Sequence, residues 1–172
     1  MANVLILRSA NTGNEDIKTG VAEVELQNGF GVALGDVSTD RKTRNAFKVA
    51  AAKDANDIIG LVYNADVPML TDELGNTYKG ITSDPRNIKF PKGTPVNVWI
   101  PSKGAEIAMT EIAGTEASAK YVVYKASDMK PTYAQNTTGA LLAFKITGKK
   151  FVSIGSERVP TVEMIRVDVA NA

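Results

Sequence analysis

The sequence predicts an all-β protein, a small antiparallel β-barrel or sandwich, on three observations. Apolar and polar residues alternate at a period of two in several short stretches, as they do along a strand with one face buried. Turns bearing glycine, proline or asparagine separate those stretches at intervals of roughly 8–12 residues, the spacing of sandwiches and barrels. Helix-like composition is limited to a stretch near 40–53, with Ser38, Thr39 and Asp40 available as caps and a run of alanines late in it, and to a shorter one over 105–113.

Taken in order, the chain opens with the apolar tetrad Val4-Leu5-Ile6-Leu7, of strand length, followed by the polar stretch Arg8 to Gly20. Alternate side chains of a strand point to opposite sides, so four consecutive apolar residues need cover on both faces. Two readings meet that need. The tetrad is an edge strand of its own domain, or 1–20 is an arm that docks on a neighbouring subunit while 21–172 forms a β-rich body. Val21 to Leu26 alternates until Asn28-Gly29, the dipeptide that most strongly marks a tight hairpin because both residues accept φ > 0. Phe30 to Leu34 is the expected return strand.

Between Asp36 and Lys53 a loop followed by a short strand over Ala46–Ala50 competes with the helix near 40–53. Phe47 and Val49 alternate with Ala46 and Lys48, which favours the strand. The cations Arg41, Lys42, Arg44 and Lys48 read as a phosphate-facing patch or as a solvated loop tip partly neutralised by Asp36 and Asp40, and the second is the blander and favoured reading. Ile58 to Tyr63 is β-branched and apolar, a central strand ended by Asn64 to Pro68. The following segment, Thr71 to Arg86, is polar. Its Asp72, Glu73, Gly75, Asn76 and Asp84 do not fall at the spacing of a calcium-binding loop, so a turn-rich connection is expected, joining lobes of about 21–70 and 88–172.

Phe90 to Ala113 carries the clearest pattern. Val96, Val98 and Ile100 share one face of a strand and Asn97 and Trp99 the other, so the first three are expected buried. Pro101-Ser102-Lys103-Gly104 reverses the chain, with Lys103 exposed, and Ala105, Ile107 and Met109 return as the second arm of a hairpin. A short helix over 105–113 is the alternative. Lys120 to Tyr124 and Ala140 to Ile146 are further strands, Gly148-Lys149-Lys150 a turn, and Phe151 to Ile154 a return strand. Thr161 to Val169 alternates with a change of phase that places a bulge near Met164.

Composition limits the chemistry. At 172 residues with 44% hydrophobic, the chain can bury a real core. Twenty Lys+Arg against nineteen Asp+Glu leave a net charge of +1, so no nucleic-acid partner is expected, and no apolar run is long enough to expect a membrane span. The start lacks the pattern of a secretory leader, and synthesis in the cytoplasm is expected. There is no cysteine, hence no disulfide, thiol nucleophile or cysteine zinc site. There is also no histidine, which removes the commonest general base and the Ser-His-Asp triad. Gly29, Gly31 and Gly35 miss the dinucleotide-binding spacing, and Ser102-Lys103 and Ser156 lack the setting of a nucleophile–base pair. No catalytic residue, cofactor or metal is expected. Trp99, Tyr121 and Tyr124 would suit a stacking platform, but no basic groove accompanies them.

The segments NGFGVALGDV, IIGLVYNADV, PKGTPVNVWIPSKGAEIAMTEIAG and AKYVVYKASDMKPTYA, over about residues 20–146, resemble the head decoration, or capsid cement, proteins of tailed bacteriophages. The likeness lies in strand and turn patterns, and 66–90 and 147–172 fall outside it. It implies a structural virion protein, a homo-oligomeric dimer or trimer. Such a protein binds the major capsid protein on the outside of an assembled capsid and strengthens it against internal DNA pressure. Val4, Leu5, Ile6 and Leu7 are then the expected partner-binding residues, with Trp99 as an exposed aromatic. A carbohydrate- or surface-binding β-module that uses Trp99 is the alternative, and a hydrolase built on a carboxylate pair is a third reading.

Overall fold

The structure, a computed structural model, describes residues 4–7, 16–64, 69–71, 77–79, 86, 88–154 and 156–169. Its strands in chain order are β1 (Leu5–Leu7), β2 (Ile17–Ala22), β3 (Gly31–Val37), β4 (Phe47–Ala50), β5 (Ile59–Val62), β6 (Met69–Thr71) and β7 (Thr77–Lys79). They continue with β8 (Pro95–Trp99), β9 (Glu106–Met109), β10 (Tyr121–Lys125), β11 (Thr132–Ala134), β12 (Ala140–Ile154) and β13 (Glu157–Val167). Five of them close a barrel in the order β2-β4-β3-β5-β8, six form a sheet in the order β1-β9-β13-β12-β10-β11, and β6 pairs with β7 alone. Every pair is antiparallel except β2 with β4. The expected all-β class is the one observed.

Two cores hold these layers together. Ala22, Leu26, Val32, Val49, Val62, Val96 and Val98 fill the barrel. The second core lies between the barrel and the sheet, where Leu61 and Trp99 meet Ile107, Met109, Tyr124, Phe144 and Met164. Gly31 allows the close approach of barrel and sheet, and Gly60 the close packing of β5 on β8 within the barrel. A Cβ on Gly31 would lie 2.5 Å from Cδ1 of Tyr124, and one on Gly60 would lie 2.5 Å from Cγ1 of Val98 and 2.9 Å from the carbonyl oxygen of Trp99. Trp99 itself is 1% exposed. Burial of an indole of some 150–250 Å² stabilises the assembly by about 4–6 kcal/mol as an upper bound.

Most expected strands form, but the alternation over Val21–Leu26 is strand only to Ala22, since β2 begins at Ile17 within the polar stretch Arg8 to Gly20 and the chain bends at Glu23-Val24, and several connections also differ. No helix forms near 40–53. Ser38 donates its backbone N–H to the carbonyl of Ala46 at 2.7 Å and closes a loop, after which β4 points Phe47 and Val49 into the barrel. Burial of that alternating pair outweighs the helix preference of the alanines. Asn28-Gly29 does turn, with φ of +82° at Gly29 and Phe30 donating to the carbonyl of Gln27 at 3.2 Å. It joins no hairpin, because β4 lies between β2 and β3.

Residues 101–104 also turn without making a hairpin. β8 pairs with β2 and β5 in the barrel, β9 pairs with β1 and β13 in the sheet, and the turn carries the chain from one layer to the other. Residues 106–109 are strand, as favoured over helix. Val96 and Val98 are buried, Ile100 is half-buried and Lys103 exposed.

Gly148-Lys149-Lys150 is not a turn. β12 runs straight through it, and the reversal comes after Ile154. The expected bulge is present opposite Met164: the register shifts between Ile146 and Gly148, which leaves Thr147 as the extra residue on the facing strand.

Candidate functional site

The two longest strands outrun the sheet that they belong to. β10 accompanies β12 only as far as Lys145, and β9 accompanies β13 only over Val162–Ile165. Beyond those points, Gly148 to Ile154 and Glu157 to Thr161 pair with each other as a two-stranded ribbon, with no third described strand on either edge. A free two-stranded ribbon is marginal in water, so its anchors matter. Arg86 grips Glu157 with both terminal nitrogens, at 3.3 and 2.5 Å. Lys149 pairs with Glu116 at 2.7 Å. On the Glu157 side, Val159 and Thr161 are buried.

The opposite side of the ribbon is exposed. Phe151 stands there at 57% exposure, across from Pro160, with the guanidinium carbon of Arg158 4.5 Å from its ring centroid. A cation over an exposed aromatic face is an attraction of about 0.5–1 kcal/mol, which favours this arrangement of the two side chains. Pro160 has no N–H to offer a further strand, and lysines flank the ribbon. Both features blunt an edge against strand addition.

A second surface is the loop from Ser38 to Ala46. Ser38 is buried, and its hydroxyl lies 2.8 Å from that of Thr43 and accepts from the N–H of Asp40 at 3.3 Å. A carboxylate oxygen of Asp40 accepts from the N–H of Lys42 at 2.8 Å, and Asn45 takes φ of +73°. These bonds hold Arg41, Lys42 and Arg44 outward, all exposed.

The residues expected to bind a partner fall elsewhere. Trp99 is not an exposed aromatic. β8 buries both faces where it passes between the two cores: Val96 and Val98 face the barrel interior, and Trp99 faces the sheet. Tyr124 is buried with it and donates its hydroxyl to the carbonyl of Gly29 at 2.8 Å, so these rings form no stacking platform. Val4 to Leu7 form an edge strand of their own chain, with Leu5 and Leu7 packed in the core between the layers and Val4 and Ile6 half-buried on the other side. The backbone N–H of Val4 reaches the hydroxyl of Thr110 at 3.0 Å.

A cleft of about 430 Å³ is lined by Glu25, Gln27, Phe30, Glu111, Ile112 and Lys130. Glu25 is 55% exposed and bound to Lys89 at 2.9 Å, which gives its carboxylate neither the desolvation nor the freedom of a general acid. Lys103, beside Ser102, is tied to Asp168, and that contact holds the Asp168 carboxyl below its usual range. Among the described residues no three carboxylates converge as a metal site. Asp72, Glu73, Gly75, Asn76 and Asp84 lie outside the described residues.

Phe151 was legible only as part of a strand, and Ser156-Glu157-Arg158 reads as a turn, whereas Glu157 and Arg158 open β13. The signal that singles out Phe151 is its phase, since it shares a strand face with Lys149 and Ser153, and an aromatic on an otherwise polar face has no use in a core. No protein-family model, curated protein or solved structure matches this chain.

Proposed function

We propose that the protein is a structural component of a tailed-phage virion, which binds as a homo-oligomer to the outer surface of the assembled capsid and stabilises it. The observation that carries this reading is the projecting ribbon with Phe151 under Arg158, on a body whose other aromatics with described side chains are buried or half-buried. A double layer with a two-stranded ribbon that exposes Phe151 on one face suits attachment to a protein surface. A chain without histidine or cysteine is poor material for catalysis. The order of strand and turn segments that resembles capsid decoration proteins supports the same role.

The test is co-sedimentation with empty capsids assembled from the major capsid protein of the same genome. Wild-type protein is expected in the capsid fraction, and Phe151→Ala should bind about tenfold or more weakly, as a buried aromatic anchor would. Absence of the wild-type protein from the capsid fraction would overturn the reading. Binding on a glycan array would instead favour the carbohydrate module, although Arg158 leaves only one face of the Phe151 ring for a sugar.

A further inference from the structure

We infer that the loop from Ser38 to Ala46, with Lys48 beside it, is a docking site for a carboxylate-rich segment of a partner protein. The inference stands apart from the capsid reading and from the ribbon. Four of the chain's twenty cations lie within 41–48 on a molecule of net charge +1, so the remainder of the chain carries −3. None of Arg41, Lys42, Arg44 and Lys48 is in an ion pair among the described residues, whereas Arg86, Lys89, Lys103 and Lys149 each hold a carboxylate. Of the two local carboxylates, Asp40 turns one oxygen onto the backbone N–H of Lys42, and Asp36, on β3 across from Phe47 and Lys48, is in no ion pair with these cations among the described residues, so the stretch 36–48 keeps a net charge of +2. The positive charge is therefore left for a partner.

The loop is also rigid enough to use that charge. Thr43 donates to the carbonyl of Asp40 at 3.2 Å and Ala46 to that of Thr43 at 3.1 Å, in addition to the bonds from Ser38, and Ala46 is buried. Cations held in one arrangement bind with less ordering cost than those on a mobile loop. Beneath them lies a recess of about 240 Å³, lined by Thr19, Val21, Lys42, Thr43, Arg44 and Pro95 among others. Two guanidiniums offer bidentate geometry to carboxylates.

A protein suits this surface better than a nucleic acid. A single-stranded nucleic acid needs aromatic platforms along a continuous basic track. The aromatic of β4, Phe47, is half-buried and packs into the barrel core. The exposed apolar residue next to the loop is Val37, 48% exposed, an aliphatic contact of the kind found within protein interfaces.

The measurement is fluorescence anisotropy of a labelled oligoglutamate peptide, with an equally charged oligothymidylate as the competing probe, on the full chain at low and at physiological salt. The peptide is expected to bind, to weaken as salt rises, and to lose about tenfold or more in affinity on R41E/R44E. F151A should bind the peptide as the wild type does. K42A/R44A gives an intermediate loss and carries the test if the double reversal melts below the wild type. Three results overturn the inference: no peptide binding at low salt, equal binding by wild type and charge variants, or tighter loop-dependent binding of the oligothymidylate.

Discussion

Replacing Tyr124 with phenylalanine isolates a hydrogen bond that joins the sheet to the barrel. The hydroxyl donates to the carbonyl of Gly29 at 2.8 Å, and Tyr124 is 2% exposed. The ring would stay where it is, edge-on to Phe144 with centroids 6.3 Å apart and planes at 72°, against the bare α-carbon of Gly31. A satisfied neutral bond contributes about 1 kcal/mol, and a buried carbonyl left without a donor costs about 1–3 kcal/mol, so a loss of about 1–3 kcal/mol is expected. With a urea slope of about 2 kcal/mol per molar, the middle of the usual range, the midpoint should fall by about 0.5–1.5 M with the slope unchanged. Tyr124→Ala should cost more, because the ring leaves a cavity worth about 3–5 kcal/mol. Gly31→Ala supplies a second arm. Its new methyl group would strike the ring, so it should destabilise the wild type and cost much less in the Tyr124→Ala background, a coupling of contacting residues. An unchanged midpoint in Tyr124→Phe, together with additive losses for Gly31→Ala and Tyr124→Ala, would refute this account of the joint.

Val98→Ala should lose about 1–3 kcal/mol by urea melting, since Val98 is fully buried in the barrel, and full stability would mean that the strand phase is misassigned. Thr161→Val should be neutral or stabilising by up to about 1 kcal/mol, because the buried hydroxyl has no hydrogen-bond partner; a clear loss would reveal one. Deleting residues 1–12 should leave a folded body weakened by about 2–4 kcal/mol, as Leu5 leaves the core between the layers, and a random-coil circular dichroism spectrum would show that β1 is indispensable. Backbone N–H groups of Lys53 and Asp54 hold the Asp57 carboxyl below its usual range, as Lys103 holds that of Asp168. Burial pushes the Tyr124 phenol well above its own usual value. The carboxyls therefore stabilise the fold above about pH 4 and lose that effect as pH falls through their folded values, while the phenol stabilises it below about pH 10 and loses that effect above. Melting temperatures scanned across pH should be flat between those limbs, and a steep slope near neutrality would contradict the assignment.

Strand positions were legible because alternation is local, and partner choice was not because it is decided across the fold. Asn28-Gly29 states that the chain turns, and it does. Nothing in those residues states that β4 will come between the two strands they join. Gly148 illustrates the converse. It lies among lysines as a turn glycine would, yet it sits opposite Glu163 in a continuous strand beside a bulge, where a Cβ would meet open space. Trp99 was placed on the correct face of its strand but on the wrong side of the solvent boundary. Alternation separates the two faces of a strand without revealing that a second layer covers the outer one. The ribbon was invisible for a related reason: only the ends of β9 and β10 show that β12 and β13 continue past them.

The barrel's seam sets the order in which the chain can assemble during synthesis. β2 closes the ring against β8, pairing Ile17 with Trp99, so the first barrel strand waits for a partner made much later. At about 5–20 residues per second the ribosome takes roughly 4–16 s to make that partner. β1 waits longer still, since Val4 meets Thr110 across a separation of 106 residues. Through that interval Leu5 and Ile17 belong to a nascent segment whose strand partners are not yet made, while Val21 already has Lys48 of β4 beside it. A chain wired this way folds slowly for its size, and its amino-terminal third is the part that a chaperone would hold.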